Sequence, residues 1–286
     1  MNGQRIPLFE RLQIESQALC NRDCWFCPRT HDRSGAYLDG RGQAVSGALS
    51  TEKILDLLDQ AAALGFRGPV GFYSYSEPLL DKRHLLLARH AAQRGMRPQL
   101  HTNGDVLQER PELVEEVRSV YRELTIGLYD YESNEELERT METWRARFPG
   151  VQLAFSYIGR GAARRARSIG TARALTPSDG RYAFPDLVYR NAPCHRPGLR
   201  MIVRYDGQMC LCCEDLRADF ELGNVHDSTL EELWYSDRHV GMIEQLAKGR
   251  RDAYALCSVC PMSPTGRPRE AQIRMSRRTK RAVAQS

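Results

Sequence analysis

From Phe9 to about Ile158, short β-branched or aromatic runs alternate with amphipathic helical stretches, and this rhythm constrains the fold more than any other feature of the 286-residue chain. Strands are predicted over 9–16, 70–75, 97–102, 124–128 and 151–157, with helices near 51–64, 82–94, 111–120 and 133–147. Such alternation builds βα units on a parallel sheet, whose right-handed crossovers curl it toward a barrel. The punctuation agrees. Ser50 or Thr51 can cap the first long helix with Glu52 in its first turn, Gly65 and Gly95 sit where helices end, and Pro111 suits a first helical position. Reactive groups in parallel sheets lie at the carboxyl ends of the strands, so the loops after Ser16, Tyr75, Thr102, Leu128 and Tyr157 are expected to converge.

The rhythm is lost from Gly159 to Ala192, where Arg160, Arg164, Arg165, Arg167 and Arg173 and then Pro177 and Pro185 read as a connector. Gly159-Arg160-Gly161 is too short for a phosphate cradle. Beyond it the style changes: 199–203 and 208–211 flank an Asp206-Gly207 turn, a hairpin signal, and Ser228-Thr229-Leu230-Glu231 reads as a capping box opening a helix through Trp234.

Nine cysteines are about 3% of the chain, well below the ~8–10% of small disulfide scaffolds, and the number is odd. They form two sets, Cys20, Cys24 and Cys27 near the front and Cys194, Cys210, Cys212, Cys213, Cys257 and Cys260 near the back, with none in the 166 residues between. Clustering of this kind points to metal. Three thiols within eight residues are informative, because structural zinc takes four ligands whereas a cubane iron–sulfur cluster on three thiolates keeps one iron open. A partial zinc site is the plainer alternative.

The run Cys20-Asn-Arg-Asp-Cys24-Trp-Phe-Cys27-Pro28 resembles the hallmark loop of the radical S-adenosylmethionine superfamily, with Phe26 in its aromatic slot. In that family the cosubstrate's amino and carboxylate groups occupy the open iron, and one electron splits the sulfonium to give a 5′-deoxyadenosyl radical. Glu77-Pro78-Leu79-Leu80-Asp81 is similar to the end of the family's Gly-Gly-Glu-Pro loop, although Ser74, Tyr75 and Ser76 stand in place of glycines. Thr102-Asn103-Gly104 resembles a Thr-Asn-Gly turn of the same family, and Ser156 and Ile158 occupy the strand from which ribose and adenine contacts come. The resemblance therefore implies cosubstrate contacts at Phe26, Ser76, Glu77, Thr102, Asn103, Ser156 and Ile158. Asn-Gly also favours an ordinary β-turn.

In the second set Cys194, Cys212, Cys257 and Cys260 with a helix at Trp234 resemble the Twitch/SPASM extension, whose shorter form holds one auxiliary cluster on four cysteines. Cys210 and Cys212 would share a strand face and Cys213 would point away; Cys212 is preferred as ligand. A zinc ribbon is the alternative. His195 and His226 lack metal-ligand spacing.

The fold class implied is α/β, a partial (β/α)6-type barrel with a small C-terminal α+β iron–sulfur domain. The expected divisions are a core at residues 1–160, a connector completing the barrel at 161–192, a Twitch-type domain at 193–262 and a basic tail at 263–286. Its cofactors would be S-adenosylmethionine and two [4Fe–4S] clusters, reduced by an external carrier such as flavodoxin or ferredoxin. An auxiliary cluster saturated by cysteine suits electron transfer, so the resemblance implies a dehydrogenase that oxidises a carbinol of an aminocyclitol or aminoglycoside sugar. Only 19 residues precede Cys20, which fits a small substrate. Asp130, Glu132, Asp179 and Asp186 are candidates for holding its amine. A thiol at Cys213 or Cys210 could instead donate hydrogen and make the enzyme an epimerase. Peptide modification, or a non-catalytic zinc or electron-carrier protein, are the remaining readings.

The net charge of +5 is concentrated: seven basic residues against a single acid after Cys260 contribute +6 and leave the remainder at −1. No basic face with interleaved aromatics accompanies that tail, so nucleic acid is not an expected partner. No apolar run approaches the ~20 residues of a membrane helix, and Met1 to Glu15 lacks a secretory layout. The expected address is cytoplasmic, with no membrane partner.

Overall fold

A computed structural model describes residues 6–24, 27–32, 34–129, 131, 133–158, 191–258 and 260. The predicted connector, except Asn191 and Ala192, and the basic tail lie outside the described residues, as do Phe26, Asp130, Glu132, Asp179 and Asp186. Five βα-type strands form as expected: β1 (Arg11–Ile14), β2 (Pro69–Gly71), β3 (Arg97–Thr102), β4 (Glu123–Tyr129) and β5 (Gln152–Ile158). The sheet continues through β6 (Arg200–Val203) and β7 (Met209–Cys210), in the spatial order β5-β4-β3-β2-β1-β6-β7. Every neighbouring pair is parallel except β6–β7. Among the described residues the sheet does not close into a barrel.

The helices follow from capping and periodicity. After α1 (Pro28–His31), α2 (Thr51–Ala63) starts where the Ser50 hydroxyl accepts the Lys53 amide at 3.1 Å, and it buries Ile54, Leu57, Leu58 and Ala61 on one stripe. Gly65 ends that segment at φ +86°, a conformation an L side chain would strain. Then come α3 (His84–Gln93), α4 (Asp105–Glu109), α5 (Leu113–Val120) and α6 (Asn134–Arg147). α5 begins two residues later than the Pro111 reading, which instead lies in the preceding turn and accepts the Val114 amide.

The C-terminal part adds α7 (Leu230–Trp234), α8 (Asp237–Ala247) and α9 (Ala255–Ser258). The capping box lies one residue beyond the predicted frame: Thr229 pairs reciprocally with Glu232, not Ser228 with Glu231. The 199–203 and 208–211 hairpin forms around Gly207 at φ +85°, and its first strand is also the sixth parallel strand, beside β1. One hydrophobic core serves both parts. Trp234 is fully buried, meets Phe9 edge-on at 5.2 Å and donates its indole N–H to the Pro7 carbonyl at 3.1 Å. Leu12 and Ile14 face the helices in that core, so Arg11, Gln13 and Glu15 point to the opposite, inner face of the sheet. Among the described residues no helix is long and apolar enough to cross a membrane.

Candidate active site

Cys20, Cys24 and Cys27 lie on the loop between β1 and α1, all as free thiols. The loop is tightly formed: the Cys27 amide donates to the Cys24 carbonyl at 2.9 Å, and Cys27 is the residue before the first turn of α1. Burial pushes the Cys27 thiol up to about 11, with the charge of Cys20 adding to the effect. Cys20 is also raised by burial. The buried Arg29 guanidinium opposes both shifts. Thiols held in this state ionise only when a cation takes their protons' place, which suits metal ligation. Among the described residues no three His, Cys, Asp or Glu side chains are grouped as ligands of a single ion. A cubane joins each thiolate to a different iron, so its ligands stand further apart than those of one ion.

The loops after β1, β2 and β3 converge on Glu77. Its carboxylate accepts the Thr102 hydroxyl at 2.7 Å, the Asn103 amide at 2.8 Å and the Leu79 amide at 3.1 Å. Its main chain holds the cysteine loop, with the Glu77 amide on the Leu19 carbonyl and the Gln17 side chain on the Glu77 carbonyl, both at 2.9 Å. Burial nevertheless pushes this carboxyl up to about 7. Asn103 reaches Asn21 at 2.8 Å, and Asp105 binds both Asn21 and Arg22. Glu77, Thr102 and Asn103 are thus brought together. Ser76 stands beside them, while Ser156 lies on β5 opposite Gly127, on the inner face. Ile158 is opposite Tyr129, and its side chain lies outside the described residues.

Ser74, Tyr75 and Ser76 have no positive φ, so the loop they form does not demand glycine. Tyr75 is used instead: its amide donates to Glu15 at 2.8 Å and its hydroxyl to the Cys213 carbonyl at 2.5 Å. Glu15 is a residue the sequence reading missed. It is fully buried just past β1, accepts the Tyr37 hydroxyl at 2.5 Å, and burial raises its carboxyl to about 7 despite these donors and the nearby Ser76 hydroxyl and Arg204. A lone acid in a strand carries no sequence signal that separates it from an exposed one.

In the second set, Cys194, Cys212, Cys257 and Cys260 line one cavity of about 380 Å³ of atom-free space, counting its part open to solvent. Arg196 and Arg251 line it too. Arg251 is buried, and its Nε donates to the Ala192 carbonyl at 2.9 Å, two residues before Cys194. The Glu214 amide points to the Cys212 sulfur at 3.4 Å. Burial pushes Cys257 up to about 12, with the charges of Cys260 and Cys194 adding to it, and raises Cys212 well above the usual thiol range. Four thiols and two cationic side chains around one mostly apolar space fit a cluster whose thiolates are anionic.

The predicted common face of Cys210 and Cys212 does not form. β7 stops at Cys210 because the chain turns immediately, with the Asp215 carboxylate accepting the Leu211 and Asp219 amides, each at 2.9 Å. Cys210 packs with Ile202 and Ala218, and Cys213 leans on that cluster with its thiol 3.4 Å from a Glu214 oxygen. Neither lines the four-cysteine cavity.

The inner face carries a further unforeseen group. Arg200 is the register partner of Arg11 across β1–β6. Burial lowers its basicity, the charges of Arg11 and Arg196 lower it further, and Cys213 and Tyr73 oppose them.

A three-thiol loop after the first strand of an open parallel sheet, followed by a four-cysteine pocket, gives this chain two separate sets of thiol ligands. Residues 14–160 match the model of the Radical SAM superfamily, and residues 194–261 match SPASM, an iron–sulfur cluster-binding domain. The chain belongs to the radical SAM superfamily. The cofactors that accompany these two segments are S-adenosylmethionine and two iron–sulfur clusters. The chain is 23% identical over 266 residues to an S-adenosyl-L-methionine-dependent 2-deoxy-scyllo-inosamine dehydrogenase of Niallia circulans, covering 88% of this chain and 93% of that protein. Its fold is similar to that of BtrN in complex with AdoMet and 2-DOIA, with a TM-score of 0.66 at 21% identity over 89% and 93% of the two chains. It is also similar to Streptococcus suis SuiB bound to precursor peptide SuiA, with a TM-score of 0.54 at 13% identity over 89% and 71%.

Proposed function

We propose that this chain is a radical S-adenosylmethionine dehydrogenase that oxidises a carbinol carbon of an aminocyclitol or amino sugar to a ketone. When bound, the cosubstrate and the two [4Fe–4S] clusters supply a 5′-deoxyadenosyl radical for the C–H bond and a sink for the one electron left after the hydroxyl proton departs. The observation that carries the reading is the pocket in which Cys194, Cys212, Cys257 and Cys260 meet. Four protein thiols leave that centre no open position for substrate, so its remaining use is to take an electron.

Cys20, Cys24 and Cys27 would hold the first cluster. Ser76, Thr102 and Asn103 sit where the cosubstrate is expected, and the Glu77 carboxylate, already engaged by three donors, positions the loops around it. Phe26, Ser156 and Ile158 complete the proposed contacts. The dehydrogenase from Niallia circulans supports the aminocyclitol class of substrate. A flavodoxin or ferredoxin would supply the initiating electron, and the cytoplasm is the matching address. The division into core, connector, auxiliary domain and tail is retained on the same basis.

Cys213 gives a second reading a specific footing, because it is half-buried and packs on the cluster containing Ile202, whereas Cys210 is enclosed. A thiol there could return hydrogen to a substrate radical, making an epimer. Incubation of reconstituted protein with 2-deoxy-scyllo-inosamine and related amino sugars in deuterated water tests both. A ketone formed together with 5′-deoxyadenosine supports the dehydrogenase, a deuterated stereoisomer supports the epimerase, and no substrate-dependent 5′-deoxyadenosine removes both.

A further inference from the structure

We propose that Arg11 and Arg200 form an oxyanion site on the inner face of the sheet, which takes a carboxylate or phosphate substituent of the substrate. The inference rests on the reading above only in placing substrate against that face. The two residues are direct register partners on adjacent parallel strands, about 4.8 Å apart in the pairing direction, and strand alternation turns both away from the helix-covered core. Two like charges set side by side destabilise a sheet unless something of opposite sign joins them.

The described residues do not supply it. Among the described residues neither arginine side chain forms an ion pair, and the half-buried Arg200 side chain makes no hydrogen bond. Arg11 donates only to the Gln99 side-chain oxygen. The acid on that row, Glu123, is engaged by Arg97 at 3.3 Å and by Gln99. Glu15, further along β1, has its oxygens on Tyr37 and Tyr75. A guanidinium partly withdrawn from water without a partner is costly, and a carboxylate or phosphate matches its forked donors. Besides Arg11, the groups acting on Arg200 are Cys213, Tyr73 and Arg196, and none of them is a carboxylate. An ammonium group would be repelled here. The substrate implied is an amine-bearing polyol that also carries an anionic group, with its amine directed elsewhere.

The test is equilibrium binding to the anaerobically reconstituted protein at constant ionic strength, without S-adenosylmethionine, so that its failure is separate from a failure of the radical chemistry. The probes are inorganic phosphate, and the pairs glucosamine 6-phosphate with glucosamine and glucuronate with glucose. Saturable binding of the charged member of one pair is expected, at least tenfold tighter than of its neutral or cationic counterpart; the pair that responds distinguishes phosphate from carboxylate. Arg200→Gln and Arg11→Gln should each weaken it tenfold or more, while Lys248→Gln, at an exposed helix end, leaves it unchanged. Arg200→Lys, which keeps the charge and removes the fork, should weaken it to an intermediate degree and covers the case in which the Gln variants do not fold. Equal binding within both pairs, or binding indifferent to Arg200→Lys and Arg11→Gln, overturns the proposal.

Discussion

Replacing Glu15 by Gln should reverse part of the pH dependence of stability. The Glu15 carboxyl is raised from 4.5 to about 7 by burial, so the folded chain holds its proton where the unfolded chain has lost it. The sign is opposite to that of a salt-bridged acid. Its stabilising contribution is complete below about pH 4.5 and is lost as pH rises through about 7. A displacement of this size amounts to ~3 kcal/mol in full, of which ~2 kcal/mol falls between pH 5.5 and 8. Gln reproduces the neutral acid, keeping an oxygen for the Tyr75 amide and an amide group for the Tyr37 oxygen. The stability difference between Glu15→Gln and the parent should therefore shift by ~2 kcal/mol in the variant's favour from pH 5.5 to pH 8. Urea unfolding of the metal-free chain at the two pH values, under reductant, measures it. A difference that stays constant, or shifts toward the parent, would refute the burial argument.

Cys212→Ala should remove about four of roughly eight irons per chain, and Cys210→Ala none, by iron assay after anaerobic reconstitution. Cys24→Ala should abolish release of 5′-deoxyadenosine; full release from that variant contradicts the three-thiol assignment. Trp234→Ala should cost ~3–5 kcal/mol in denaturant unfolding, because a fully buried indole leaves a cavity against Phe9 and an unmet Pro7 carbonyl. Tyr75→Phe keeps the ring and the amide on Glu15 but loses the bond to Cys213, so 5′-deoxyadenosine should form with less ketone per turnover; unchanged coupling of the two products would count against that contact.

Much of the architecture was legible because periodicity reports on burial: α2 and α6 appear within a residue or two of their predicted spans. β1 and β2 are shorter than predicted, since Ser16 and Tyr73–Ser76 leave the sheet to build the site. The cysteine sets were legible for a different reason. Clustered thiols have few structural uses in a chain without disulfides, and the resemblance to the Twitch/SPASM layout, not spacing, is what favours Cys212 over Cys210 and Cys213 beside Cys194, Cys257 and Cys260. The face shared by Cys210 and Cys212 was misread because alternation holds only while a strand lasts, and Asp215 turns the chain first. Glu15, Arg29 and Arg200 were silent in the sequence. Each is an ordinary charged residue whose meaning comes from neighbours tens to hundreds of positions away.

The absence of glycine before Glu77 acquires a reason from the same long-range contacts. A loop that must pass close to a ligand can use glycine for its small size or for positive φ, and the latter need does not arise at Ser74, Tyr75 or Ser76. With that requirement gone, a side chain at position 75 is admissible, and tyrosine is long enough to cross from the cosubstrate loop to the residue after Cys212. One residue thereby binds the buried acid just past β1 through its main chain and the auxiliary segment through its hydroxyl. Tyr37 packs edge-on against it at 5.8 Å and shares the same carboxylate, so the residue 28–49 excursion is locked to the same point. Movement of the auxiliary segment away from the sheet must then break a contact at the cosubstrate loop as well. An enzyme whose two centres have to act on one substrate in sequence gains from such a tie, because the distance between them is fixed by the protein before either is loaded.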